Sequence, residues 1–179
     1  MKRFFAAAVV VLAMGLVGTP DAQAGMPIKQ GGNLGLGFGV GTTAVPISVK
    51  YFLSGTSSIQ GNIGWWRGPW GGGRFCDRYD RYCRGSYNNS LGLSGDYLIE
   101  GPPLVGNGDI SLDWQAGGGV GIGVSDRDFG LAVAGNVGLQ VNIHAIPIDF
   151  VVEYRPGFYV VPDFFFDWWN FTGHIRYYF

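Results

Sequence analysis

Eight stretches of this chain alternate residue by residue, and one of the two rows so formed is wholly apolar or aromatic. The stretches are Asn33–Gly41, Ile47–Leu53, Ile59–Trp65, Leu91–Ile99, Ile110–Val124, Phe129–Val141, Ile148–Phe158 and Trp169–Phe179. Their apolar rows hold 44 positions, none of them Asp, Glu, Lys, Arg, His, Asn, Gln, Ser or Thr. A period of two is the side-chain period of a β-strand, so each stretch predicts a strand with one wholly apolar face. The opposite row holds the charges, among them Lys50, Asp96, Asp113, Asp149, Glu153, Arg155, His174 and Arg176.

A soluble β-sandwich hides its apolar row and shows water the polar one. Here the clean row is too long and too free of polar groups for that arrangement. A charge facing lipid near the bilayer midplane costs roughly 2–4 kcal/mol, and a sheet in lipid must close so that no backbone edge is left unpaired. The predicted fold is therefore all-β, an eight-stranded antiparallel up-and-down transmembrane β-barrel. A soluble eight-stranded ligand carrier of the lipocalin sort is the nearest rival, but its G-x-W motif and apolar interior are missing here.

The chain begins with Met1-Lys2-Arg3, continues through an apolar run from Phe4 to Gly18, and reaches Ala22-Gln23-Ala24. A basic start, a short apolar core and an A-x-A site predict a secretory signal peptide over residues 1–24. The run is shorter than the ~20 residues of a spanning helix. The domain then covers residues 25–179, enough for eight short strands. It holds ten Lys/Arg against twelve Asp/Glu, a balance that gives no reason to expect a nucleic-acid partner. Glycine is frequent, 32 of 179 residues, but without collagen's three-residue period. Cys76 and Cys83 are the only cysteines, and in an exported chain they are expected to be joined.

The last strand ends in Ile175, Tyr177 and Phe179 on one face and His174, Arg176 and Tyr178 on the other. A terminal Phe with an aromatic two residues before it resembles the insertion signal of bacterial outer-membrane β-barrels. Such signals often carry Gly where this chain has His174; its glycine is one residue earlier, at Gly173. By architecture and terminal signal the chain resembles the small OmpA/OmpX-type barrels over nearly all of residues 32–179. The resemblance implies recognition by the barrel-assembly machinery through the last strand, closure of that strand on the first, a monomer in the outer membrane, and contact with outer-membrane lipid and lipopolysaccharide. Aromatics near strand ends fit two interfacial girdles, with Trp65, Phe129, Phe158 and Trp169 outward and Tyr97, Trp114, Phe150, Tyr177 and Phe179 towards the periplasm.

An eight-stranded barrel is just wide enough for its side chains to fill. The charges Lys50, Asp96, Asp113, Glu153, Arg155, His174 and Arg176 should then meet each other, as a satisfied polar plug or as a proton-linked or ion-conducting path. Through short turns, the expected neighbours are Asp96 with Asp113, bridged by Lys50, and Glu153 with Arg176. Gly35, Gly37, Gly39, Gly117, Gly119, Gly121 and Gly123 leave two strands bare inside. They allow strand coiling, filling by Trp66 and loop aromatics, or entry of a small ligand.

The stretch Arg67 to Asn89 is the most distinctive loop. Arg67, Arg74, Arg78, Arg81 and Arg84 stand beside Trp70, Tyr79 and Tyr82 and outnumber Asp77 and Asp80. Arginine and tyrosine suit phosphates and sugars, so these residues are the candidate binding element; a disulfide-stiffened loop resting on lipid headgroups is the alternative. Acyl-transfer enzymes occur among barrels of this size, but no Ser is close to His174 on its strand, and His144 falls in a turn. Neither a catalytic set, a metal site nor a cofactor is expected. The function classes that remain are a structural or surface-interaction role, a narrow solute channel, and a lipid A-modifying enzyme.

Overall fold

In the computed structural model the described residues are 27–41, 46–66, 90–124, 129–161 and 164–179. They form a closed antiparallel barrel of eight staves in up-and-down order. The strands are β1 (Leu34–Gly41), β2 (Ile47–Ser54), β3 (Ser57–Trp66), β4 (Ser90–Glu100), β5 (Val105–Gly106), β6 (Ile110–Val124), β7 (Phe129–Ile143), β8 (Ile148–Tyr154), β9 (Gly157–Val161), β10 (Phe165–Asp167) and β11 (Phe171–Tyr178). Closure comes from β11 on β1, in the register Gly35↔Tyr178 to Gly41↔Thr172. Pro27 and Phe179 lie at one end, here called the terminal end; β1, β3, β6 and β9 finish at the other, here called the loop end.

The seventh stave is made of two pieces. β8 and β9 pair with β7 in the same register on either side of Arg155 and Pro156, Val137↔Tyr154 and Ala134↔Gly157, with a shift further on between Ala132↔Tyr159 and Leu131↔Val161. Proline has no N–H to give a neighbouring strand, so the ladder breaks where Pro156 stands. The chain from Val160 to Trp168, expected to be a plain connection, instead extends β9 to Val161 and folds back as β10, with Phe166 opposite Phe158.

The side-chain parity follows the alternation. On β7 the odd-numbered residues Val133, Val137 and Leu139 are 47–58% exposed, whereas Asn136 and Gln140 are at most 1% exposed. Among the described residues the buried set contains twenty polar or charged residues and seven apolar ones. That is the inverse of a water-soluble core. The few apolar contributions inside are local, chiefly Ile28, Phe52 and Tyr178 packed together at the terminal end.

Three of the inward glycines, Gly37, Gly117 and Gly119, serve close strand approach. A Cβ on Gly37 would run into the backbone of Ile175 and Arg176, and one on Gly117 or Gly119 into the backbone of β4. Gly35 is covered by the Tyr178 ring. Of the three uses open to these glycines, coiling of the strands accounts for Gly37, Gly117 and Gly119. Outward-facing Gly95 is different, with nothing within 4 Å of a built Cβ. Gly37→Ala is therefore predicted to cost about 1–3 kcal/mol, the usual range for overpacking, and Gly95→Ala much less. Denaturant unfolding of the two variants in detergent micelles measures the difference.

Candidate functional site in the barrel lumen

Side chains from seven staves meet inside the barrel and form one hydrogen-bonded and ion-paired network, in which Glu100 Oε2, Asp113 Oδ1, the Asn136 amide and His174 Nδ1 make no hydrogen bond. Arg176 donates from Nε and Nη2 to both oxygens of Asp149, at 2.8–3.2 Å. A planar guanidinium on a carboxylate fixes orientation as well as charge. Tyr178 adds its hydroxyl to Asp149 at 2.7 Å, and Arg176 Nη1 donates to Gln60 Oε1 at 2.5 Å. Gln60 in turn donates to Glu153 at 2.9 Å.

Glu153 is the hub of the network. It also accepts from Gln115 Nε2 at 2.6 Å and Thr172 Oγ1 at 3.0 Å, and lies 3.1 Å from His174 Nε2. From Gln115 the network passes to Lys50, whose Nζ donates to Gln115 Oε1 at 2.7 Å and Gln140 Oε1 at 3.1 Å and pairs with Glu100 Oε1 at 2.7 Å. Towards the loop end Arg155 Nη2 holds both oxygens of Asp96, at 2.6 and 2.7 Å. With its amide oxygen turned towards Ser94 and Arg155, Asn62 accepts from both at 3.1 and 3.3 Å.

Lys50, Asp96, Asp113, Glu153, Arg155, His174 and Arg176 thus all lie inside the barrel, but the neighbours expected from short turns are not the ones formed. Asp96 stands opposite Gly119 and pairs across the lumen with Arg155; Asp113 lies lower and pairs with Lys29 at 2.7 Å. Lys50 joins neither of them and takes Glu100 instead. Glu153 stands opposite Thr172, and Arg176 opposite Asp149.

The displacement has a physical cause. Pro102 and Pro103 cannot continue the ladder after Glu100, so the chain turns aside and β5 pairs with the start of β6, Val105↔Leu112. Ladder pairing between β4 and β6 then begins at Glu100↔Gln115, well past the point that a symmetric turn would give. Two members of the network were missed: Glu100, which continues the inner row of β4 by parity, and Lys29, which precedes the first strand and has no periodic signal. Five carboxylates, Asp96, Glu100, Asp113, Asp149 and Glu153, face four cations, Lys29, Lys50, Arg155 and Arg176, with His174 beside the hub.

Two recesses remain. At the loop end a cavity of about 40 Å³ lies over Asn62, Ser94, Arg155 and the small residues Gly119, Gly121, Ala132 and Ala134. That is room for a few waters. At the terminal end a larger cavity, about 510 Å³, includes Lys29, Glu100, Ser111, Asp113 and His144 in its wall. There His144 Nε2 lies 3.2 Å from Ser111 Oγ, a contact that sequence reading did not find. A nucleophile–base pair needs a third group to orient the ring; among the described residues the His144 ring makes no second hydrogen bond. Nor is there, among the described residues, a group of three or more His, Cys, Asp or Glu placed to hold a metal ion.

The loop residues Arg67, Arg74, Arg78, Tyr79, Arg81, Tyr82 and Arg84, and the pair Cys76 and Cys83, lie outside the described residues. Comparison with family models, with curated proteins and with solved structures finds no significant match for this chain.

The lumen network predicts a specific asymmetry. Arg176→Met strands Asp149 in the interior and is expected to cost about 3–5 kcal/mol, the range for removing one partner of a buried pair. Arg176→Met with Asp149→Leu, which removes both charges, is expected to recover much of that loss. Urea unfolding of the three proteins in detergent, followed by the barrel's shift in gel mobility, checks the sign.

Proposed function

We propose that this protein is an outer-membrane β-barrel with a structural or surface-interaction role, whose Arg/Tyr-rich loop is the binding element and whose lumen is not a solute path. One observation carries the reading: the barrel wall is apolar outside and the interior is filled by a network of ion pairs and hydrogen bonds. An exposed belt of Val, Leu, Ile and aromatic side chains around a closed sheet is suited to hydrocarbon. The leader-like start of the chain and its aromatic terminal strand support export and assembly by the outer-membrane machinery, as in the small OmpA/OmpX-type barrels. An even number of staves then puts both termini in the periplasm and the stretch Arg67 to Asn89 outside the cell.

The narrow-channel alternative is disfavoured by the network itself. A permeating solute would have to part Lys50, Gln115, Glu153, Gln60 and Arg176, each of which is at most 1% exposed and held by hydrogen bonds. Unpaired charges left behind in the interior would cost several kcal/mol each. An enzyme acting on lipid A is disfavoured as well, since among the described residues no serine hydroxyl meets buried His174, whose Nε2 faces Glu153 and whose Nδ1 makes no hydrogen bond.

Surface binding is expected to reside in the loop arginines, whose phosphate and sugar chemistry fits lipopolysaccharide. Replacing Arg78 and Arg81 by Ala should lower retention on immobilised lipopolysaccharide and weaken its salt dependence, because exposed charges are screened over about 8 Å at physiological ionic strength. Liposomes carrying the parent protein should show no more small-solute flux than empty liposomes. Flux above that level would favour the channel, and undiminished retention of the double variant would remove the loop as binding element.

A further inference from the structure

The cavity at the terminal end has an acidic floor that is built independently of what covers it. Glu100 and Asp113, 3% and 2% exposed, form that floor. Glu100 Oε1 is held by Lys50 at 2.7 Å and Ser58 Oγ at 2.5 Å. Asp113 Oδ2 accepts from Asn142 Nδ2 at 2.8 Å. The remaining oxygens, Glu100 Oε2 and Asp113 Oδ1, are buried without a hydrogen bond. Such an atom loses its water and gains nothing in return, which makes it an acceptor waiting for a donor.

One ammonium group already sits there. Lys29 Nζ lies 2.7 Å from Asp113 Oδ2 and 3.7 Å from Glu100 Oε2, and donates to Gly101 O at 2.9 Å. It is the most exposed cation of the network, with 14% of its side chain accessible, whereas Lys50 has none. It arrives on the short segment Pro27–Asn33, which precedes the first strand. That segment is held by Ile28 against Phe52 and Tyr178, by Gly32 N on Phe52 O at 2.8 Å, and by its own turn, in which Asn33 Nδ2 donates to the carbonyls of Pro27 and Ile28. Phe52 N donates in return to Asn33 O at 3.0 Å, and residues 27–33 belong to no strand.

We propose that this mouth is a binding site for a small primary amine in its ammonium form, and that Lys29 is the chain's own occupant of it. Ligand entry and release of Lys29 with its segment are then one event. The acceptors select the class: a primary ammonium offers three N–H groups, of which Lys29 directs two to Asp113 and the Gly101 carbonyl with Glu100 Oε2 3.7 Å away, whereas a quaternary ammonium offers none. An anion meets two carboxylates. A methylene stem has Pro27, Pro102 and Pro103 to lie against, and the volume of about 510 Å³ exceeds what one ammonium group fills. Because Lys29 competes, the apparent affinity is lowered in proportion to the fraction of time that the site is free.

The test uses the purified protein in detergent micelles, titrated with n-butylammonium and, at equal ionic strength, with tetramethylammonium. It depends neither on membrane location nor on the arginine loop, so its failure would leave the outer-membrane reading untouched. Saturable heat on addition of n-butylammonium is expected, with faster tryptic cleavage after Lys29, and neither effect with tetramethylammonium. Lys29→Ala, shown to be folded by its unheated gel mobility, is expected to bind n-butylammonium about tenfold more tightly, and Asp113→Asn in that background to lose the gain. The proposal is overturned if the parent protein shows no saturable binding, if tetramethylammonium binds equally well, or if Asp113→Asn changes nothing.

Discussion

A charge placed inside an eight-stranded barrel has almost no water to turn to, and the rest of this structure depends on how that constraint is met. Glu153, fully buried, is met by two glutamine amides, a threonine hydroxyl and a histidine nitrogen. Each of those groups comes from a different stave or position, so satisfying one carboxylate fixes the relative heights of β3, β6, β8 and β11. The bidentate Arg176–Asp149 and Arg155–Asp96 pairs do the same for the layers below and above. A register slip of one residue would turn these charges outward and apolar side chains inward. Polar contacts therefore specify the closed form, while the apolar wall specifies the medium it suits.

Which residues face inward was legible from the alternation, because parity in a strand needs no knowledge of its partner. Which of them touch was not. Contacts across a barrel depend on register, and register depends on how many residues each turn takes. The turn after Glu100 looked symmetric, yet Pro102 and Pro103 end one ladder and β5 starts another, which carries Asp113 away from Asp96. The break at Pro156 and the extra β10 hide the height at which β11 begins in the same way. Lys29 carried no signal at all, since a single residue ahead of the first strand belongs to no pattern. Its role arises only once Asp113 and Gly101 are brought to the same mouth.

The two ends of the lumen differ in physical character. Towards the loop end, small residues and the Asp96–Arg155 pair leave a shallow recess of about 40 Å³. Towards the terminal end, Phe52, Tyr178 and Ile28 form a small apolar seal, and the acidic pocket beside it is covered by a segment that belongs to no strand and is joined to β2 by two backbone hydrogen bonds at Phe52. Local opening starts where backbone pairing is thinnest and buried apolar contact least. The terminal-end segment lies outside the strands, but its release would also break the Ile28 contact with Phe52 and Tyr178 and two backbone hydrogen bonds to Phe52, whereas opening the central network would break full ladders.

The proposed orientation turns the apolar row to lipid and the charged row to a filled lumen. It is tested most directly along β7, where the two rows alternate over fifteen residues. Single cysteines at Leu131, Val133 and Leu139, and at Ala132, Ala134 and Gln140, would be labelled with a fluorophore in a background lacking Cys76 and Cys83. The variants would then be reconstituted with lipids that carry a quencher on the acyl chain. The account predicts strong quenching at 131, 133 and 139 and little at 132, 134 and 140; uniform quenching along the strand, or the reverse alternation, would contradict it.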